Sequence, residues 1–374
     1  MLVGESQTFL LRQLMDIALS ETQKLIRDSV RDYLRQKVSF DRIRHLESNG
    51  GYDQELWHYL HESGFLALPF AAKFGGSGSL VDLGILVEQL TRRAVVVPFV
   101  ETLTSAICIE RFGDRALAEE VVTGVIEGSL RLSPALLERD DRYDHPSIRF
   151  EGGVISGTKY FVDYGQVATH HLVSVVEAGR PALVLVAVHP TRVSQRPLHN
   201  ISRLPQANVT YDRVPARKVG GPEALTFLFR LNQVLAAVQC LGNAQEALDM
   251  TVGYVAMRVQ FGRPIGTFQA VQHHCANMAT MVEACRFLAF EALWWLAEDK
   301  SDDRQLAVAK NWAAKTVTEV TMLAHQLHGG IGVTEDYDLH FFTRRGKDRA
   351  VAWGSADETI RHLAKTIEEP NRWH

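Results

Sequence analysis

The chain has 374 residues, 46% hydrophobic and 22% charged, which are the proportions of a folded globular protein and set aside disordered and fibrous classes. Its 40 basic and 44 acidic residues give a net charge of −4 with no long run of one sign, which argues against nucleic acid as a partner, because phosphate binding relies on a concentrated basic surface. A length in this range corresponds to about two to three domains.

Near the start, residues 9 to 19 read FLLRQLMDIAL, an apolar run interrupted by Arg12 and Asp16 and followed by no small-residue cleavage site. It is not read as a signal peptide. No stretch reaches about 18 uninterrupted apolar residues, so no membrane-spanning helix is expected. Residues 20 to 36, SETQKLIRDSVRDYLRQ, place Ile26, Val30, Tyr33 and Leu34 on one side of a helix that Ser20 can cap. Further helical patterns follow in DQELWHYLHESGF, VDLGILVEQLTRRA and FVETLTSAICIERF, with the glycine-rich turn KFGGSGS between the first two. Residues 1 to 125 are therefore predicted to form a helical domain.

The texture changes between about residues 130 and 217 to short β-rich runs, GGVISGTKYFVDYG, HHLVSVVE, ALVLVAV and NVTYDRV, separated by Gly, Pro, Asn and Asp. A small β-domain over 126 to 219 accounts for them. Helical pattern returns after Gly220, Gly221 and Pro222, a glycine-proline entry suited to a helix start. Long helices are expected over roughly 223 to 258, 267 to 298 and 303 to 328, lengths that point to a bundle over 220 to 374. The predicted class is α+β: an N-terminal helical domain, a small middle β-domain and a C-terminal four-helix bundle.

Cys108, Cys240, Cys275 and Cys285 show neither CxxC spacing nor a histidine pattern of the zinc kind, so free thiols in a reducing cytoplasm and no metal site are expected. Two segments could carry chemistry. In AMRVQFGRPIGTFQAVQH, residues 256 to 273, Arg258 ends a long helix beside a glycine turn, where its planar fork could hold a phosphate or could simply complement the helix dipole. In HQLHGGIGVTEDYDLHFFTRRGK, residues 325 to 347, Gly329, Gly330 and Gly332 either let backbone approach a ligand or stop a helix. His328 could act as a base, although a packed histidine is the plainer reading.

Together, RVQFGRPIGTFQ followed by QLHGGIG resembles the acyl-CoA dehydrogenase family, in which RxxFGxxIxxFQ and QxxGGxG occur in this order on the C-terminal helical domain. The helical, β, helical order and the early LPFAAKFGGSGS turn extend the resemblance over nearly the whole chain. The resemblance implies FAD bound at a subunit interface and oxidation of an acyl-CoA thioester to its α,β-enoyl product. It implies that Arg258, Phe261 and Gln269 contact the FAD of a neighbouring subunit, and that Gln326, Gly329 and Gly330 do so at its ADP end.

The family's chemistry needs a carboxylate base beside the thioester. Most members keep a glutamate in a YEGT-like loop before the final helix, which corresponds to VAWGSADETI, residues 351 to 360. Matching Arg361 puts Gly354 at the base position, and matching Lys347 puts Trp353 there. Other members place the base on the helix before RxxFG, and counting back from Arg258 and Gly242 gives Asn232, an amide that cannot serve. Asp357 and Glu358 remain, but Ser355-Ala356-Asp357-Glu358 fits a capping box and explains both as a helix start. The flavin-holding TEPxxGSD and KxWIT stretches correspond to SPALLERDD and KYFVDYG, without the glycine and Ser-Asp pair and with Phe161 for the tryptophan.

The half of the cofactor site that serves a neighbour is thus retained, and the half that would hold this chain's own flavin and base is not. That asymmetry is similar to actinobacterial heteromeric (α2β2) acyl-CoA dehydrogenases acting on steroid side-chain CoA thioesters. The implied role is a cytoplasmic, non-catalytic partner of a homologous catalytic subunit, with no catalytic residue of its own. Two alternatives stand beside it: a self-sufficient homotetrameric dehydrogenase with an unusual base, and a non-redox acyl-CoA-binding scaffold.

Overall fold

The computed structural model describes residues 18–76, 79–139, 142–143 and 145–367. Most of FLLRQLMDIAL, Ser77 and Gly78 of the glycine-rich turn, and Asp140 and Asp141 of SPALLERDD lie outside the described residues. Helix α1 (Glu21–Lys37) starts at the cap expected of Ser20, which Gln23 completes as a capping box, and buries Val30 and Leu34. Five helices follow: α2 (Phe40–Asn49), α3 (Gln54–Glu62), α4 (Leu80–Arg92), α5 (Phe99–Phe112) and α6 (Arg115–Ile126). Helix α5 is buried along nearly its whole length, from Phe99 to Ile109, and so carries side chains into the centre of the molecule.

Among the described residues eight strands come next, twice the number of β-rich runs legible in the sequence. They are β1 (Leu132–Ala135), β2 (Phe150–Glu151), β3 (Val154–Asp163), β4 (His170–Glu177), β5 (Arg180–Ala187), β6 (Val193–Pro197), β7 (Gln206–Pro215) and β8 (Arg217–Gly220). They form two four-stranded sheets in the orders β1-β4-β5-β8 and β2-β3-β7-β6. Strand β1 runs parallel to β4, pairing Leu132 with His170 and Ala135 with Val173, whereas the other pairs are antiparallel. Val173, Val175 and Val184 of one sheet share an apolar cluster with Ile155, Val209 and Tyr211 of the other. Burying those facing residues is what holds the two sheets together.

Helix α7 (Pro222–Met257) has the expected proline in its first turn and is long and apolar enough to cross a membrane by length and composition. Its apolar window is 78% buried inside the protein, however, packed among α4, α5 and the later helices. Each leucine that it buries fully, such as Leu231 or Leu235, contributes about 1.5–3 kcal/mol. Strands β9 (Val259–Gln260) and β10 (Arg263–Pro264) form a hairpin before α8 (Gln269–Ala297). Helices α9 (Asp303–His328) and α10 (Leu339–Val351) complete a four-helix bundle with α7 and α8, and α11 (Ala356–Ile367) packs on α9. Where the bundle, α5 and the sheets meet they leave a gap whose wall includes the exposed Phe161 and Val351.

Candidate cofactor and active sites

The six residues expected to face a neighbour's cofactor stand at one end of the bundle. Tyr254, in the last turn of α7, stacks on His328 at the end of α9, with ring centroids 4.5 Å apart. This contact brings the Arg258 segment and the Gly329 segment together. His328 itself is buried, with Nδ1 2.7 Å from the Ala324 carbonyl and Nε2 3.0 Å from the Tyr337 hydroxyl. Burial lowers its pKa and both ring nitrogens are engaged, so it packs this corner and offers no base.

Between β9 and β10, Phe261 (φ 53°) and Gly262 (φ 79°) both take positive φ, as a tight hairpin turn of the I′ kind demands. Glycine accepts that conformation freely, whereas a bulky residue is strained by it. Phe261 is nevertheless 92% exposed. A large aromatic ring in a strained turn, facing solvent apart from an edge contact with Phe268 at 6.1 Å between centroids, is suited to a contact outside the chain.

The backbone of Arg258 is fixed by hydrogen bonds from its N–H to Tyr254 (2.8 Å) and from Ile265 N–H to its carbonyl (2.8 Å), while its side chain is exposed. Gln269 is exposed at the first position of α8, a helix with no side-chain N-cap. Gln326 is exposed on the last turn of α9, and Gly329 follows at φ 64°, ψ −143°, a region open essentially to glycine alone. Open space surrounds Gly329 and Gly330 on their Cα side. Exposed cationic and amide donors, uncapped helix N–H groups and bare backbone match the needs of a dinucleotide phosphate.

The gap, about 250 Å³, is bounded by Pro134, Leu136 and Leu137 of SPALLERDD and by Tyr160, Phe161 and Asp163 of KYFVDYG. Asn232 and Trp353 also face it. Asn232 is tied on both sides: its amide N–H donates to Leu228 O (2.8 Å) and its carbonyl accepts from the Thr104 hydroxyl (3.2 Å). At the other position the loop itself excludes an acid. Gly354 has φ 101°, and a Cβ there would lie 3.2 Å from Gln233 Nε2, so any side chain is strained. Trp353 is also held at positive φ, its carbonyl accepting from Gln233 Nε2 (3.0 Å) and its N–H donating to the Tyr143 hydroxyl (3.2 Å). Lys310, fully buried on α9, pins the same loop by donating to Ala350 O (2.7 Å) and Gly354 O (2.8 Å).

The capping box at the start of α11 is present in full. Ser355 N–H donates to Glu358 Oε2 (2.7 Å) and Glu358 N–H donates to Ser355 Oγ (3.3 Å). Tyr143, Phe229 and Trp353 pack as an aromatic group, with centroids 4.9–6.2 Å apart. They stand between the gap and an outer cleft of about 540 Å³ on which Glu358 lies. Glu358 is thus engaged and on the far side of that group from the gap. Asp357 is exposed in the same first turn.

What the sequence reading missed is a set of charges in the gap. Arg349 Nη2 lies 2.9 Å from Asp163 Oδ2 and 2.5 Å from Asp348 Oδ2, and Gln206 Nε2 donates to the second oxygen of Asp163 (2.8 Å). Glu101, buried on α5, faces the same gap. Burial, and then Asp163, push the Glu101 carboxyl up to about 8, and burial also raises that of Asp348. Charged letters inside the apolar runs FVETLTS and KYFVDYG were the available signal.

Known families match both helical parts of the chain: residues 20–129 match "Acyl-CoA dehydrogenase, N-terminal domain" and residues 220–367 match "Acyl-CoA dehydrogenase, C-terminal domain". The chain belongs to the acyl-CoA dehydrogenase family. Among its relatives, "Acyl-CoA dehydrogenase IpdE2" of Mycolicibacterium smegmatis is 28% identical over 352 residues, spanning 93% of this chain and 100% of the relative. Among solved structures, a variant of the Tcur3481-Tcur3483 steroid ACAD is 33% identical with a TM-score of 0.88, over 93% of this chain and 98% of that one. The ChsE4-ChsE5 complex from Mycobacterium tuberculosis is 27% identical with a TM-score of 0.89, over 95% and 99% of the two chains.

Proposed function

We propose that this chain is the supporting subunit of a heteromeric acyl-CoA dehydrogenase, completing the FAD site of a homologous catalytic chain and contributing no base. The reaction removes a proton from the acyl α-carbon and a hydride from the β-carbon, and FAD supplies the hydride acceptor. The observation that carries the reading is the contrast between two places. At one end of the bundle, Arg258, Phe261, Gln269, Gln326, Gly329 and Gly330 are exposed and suited to a dinucleotide. In the interior, the base positions hold Trp353 or Gly354 and Asn232, each already committed to other bonds.

In that role Arg258 brings positive charge to a pyrophosphate of the sister's cofactor. Phe261 covers an apolar part of it, and Gln269 and Gln326 donate amide hydrogen bonds. Gly329 and Gly330 let the backbone come close. The exposed apolar residues Met257, Val259 and Val333 beside them are the surface that a sister subunit covers. Similarity to Tcur3481-Tcur3483, described as a steroid ACAD, and to the ChsE4-ChsE5 complex supports an unlike partner and a steroid side-chain CoA thioester as substrate.

Domain limits of 1–125, 126–219 and 220–374 belong to the same reading. The test is co-expression with an adjacent homologous chain, followed by flavin analysis of the purified complex. Arg258→Ala should lower the flavin retained after gel filtration by about tenfold or more, the loss of one charge-assisted contact. Unchanged retention refutes the role given to Arg258.

A further inference from the structure

We infer that the Asp163, Arg349 and Asp348 cluster, backed by Glu101, lines in this chain the gap where a family member would seat its own flavin ring, and ties one sheet to the bundle there without a cofactor. This rests on the reading of the chain as a supporting subunit. The two segments that correspond to the flavin-holding stretches bound the gap, and the cluster forms another part of its wall. Asp163 ends β3, Gln206 begins β7 and Arg349 lies on α10, so their bonds tie one sheet directly to the bundle.

The charges are also wrong for a flavin. The one guanidinium is already paired with Asp163 and Asp348, while Glu101 keeps its proton to about pH 8, so no positive charge is left over for a flavin that accepts hydride and gains negative charge. Like charges at such a place raise the cost of that step rather than lowering it.

The prediction is a stability effect with a defined pH sign. Other titratable groups around the cluster are Tyr164 after β3, Arg345 on α10, Cys240 on α7 and Lys310 on α9. None of them replaces the fork of Arg349. Removing it deprives Glu101 and Asp348 of the charge that holds their carboxyls down, so both move further up and folding loses stability as pH rises.

The experiment measures thermal unfolding of the lone chain, of Arg349→Met and of Arg349→Lys, from pH 5 to pH 8, with and without added FAD. Arg349→Met should lose about 4–6 °C at pH 8 and clearly less at pH 5. Arg349→Lys, which keeps the charge but not the fork, should fall between. If Arg349→Met yields no folded chain, the lysine variant carries the same comparison. Added FAD should leave the wild-type midpoint unchanged.

A Tm and pH dependence untouched by either substitution overturns the inference, as does about one FAD bound per lone chain. The supporting role fails by a separate readout, undiminished flavin in a complex carrying Arg258→Ala. Arg349 is remote from that surface, so the two failures are told apart.

Discussion

Replacing Glu101 by glutamine keeps the size of a buried side chain and removes its ionisation. In the folded chain, burial first and the nearby Asp163 second hold the carboxyl near 8, against 4.5 for the free group. Between those values the folded chain keeps a proton that the unfolded chain has released. The contribution of Glu101 to stability is therefore fully present below about 4.5 and is lost as pH rises through about 8. At about 1.4 kcal/mol per tenfold change, the whole loss approaches 5 kcal/mol, of which about 2–3 kcal/mol falls between pH 6 and pH 9. For a chain of this length that amounts to about 3 °C in Tm. Differential scanning calorimetry of wild type and Glu101→Gln at intervals across that range is the assay. The midpoint of the variant should gain about 3 °C on wild type from pH 6 to pH 9. Parallel curves would mean that Glu101 ionises like an exposed carboxyl, and would refute the account of the gap.

Glu358→Gln in the complex should leave turnover unchanged and cost under about 0.5 kcal/mol, because glutamine also closes a capping box; lost turnover in a steady-state assay would restore Glu358 as a base. Ser355→Ala, which breaks the box, should cost about 1 kcal/mol in denaturant unfolding. Lys310→Met leaves the buried carbonyls of Ala350 and Gly354 without their donor and should cost about 2–4 kcal/mol in the same measurement. The Lys310 ammonium, whose pKa burial lowers to about 8, titrates in the folded chain before it does in the unfolded one. That part of its effect penalises folding below about 8 and fades as pH rises toward 10.5.

Features set by local chemistry could be read from the letters. Ser20 and Ser355 announce their helices because a capping hydroxyl acts within three residues, and both capping boxes form. The three long bundle helices begin and end within a few residues of the expected places, since their apolar texture and flanking glycines are local signals. Strands β1, β2, β6 and β8 escaped notice because they are short, and β1 carries Pro134 and owes its pairing to β4, far along the chain.

In the candidate site, which residues stand at the family's base positions was legible because those positions can be counted from Arg258, Gly242, Lys347 and Arg361. The ion cluster was not. Asp163 and Arg349 are joined only by the docking of a sheet on the bundle, and Lys310 looks like any lysine of a helix until its carbonyl partners are seen. The strain at Phe261 and Trp353 likewise has no local signature, because neither residue favours positive φ.

The central claim is that this chain supports another subunit's cofactor and holds none of its own. It is tested most directly by measuring flavin per polypeptide, by absorbance and amino-acid analysis, for the lone chain and for the complex with its catalytic homologue. The account predicts essentially no flavin on the lone chain and about half a flavin per chain in an α2β2 complex with one site per unlike pair. About one flavin per chain, with acyl-CoA dehydrogenation by the lone protein, would contradict it.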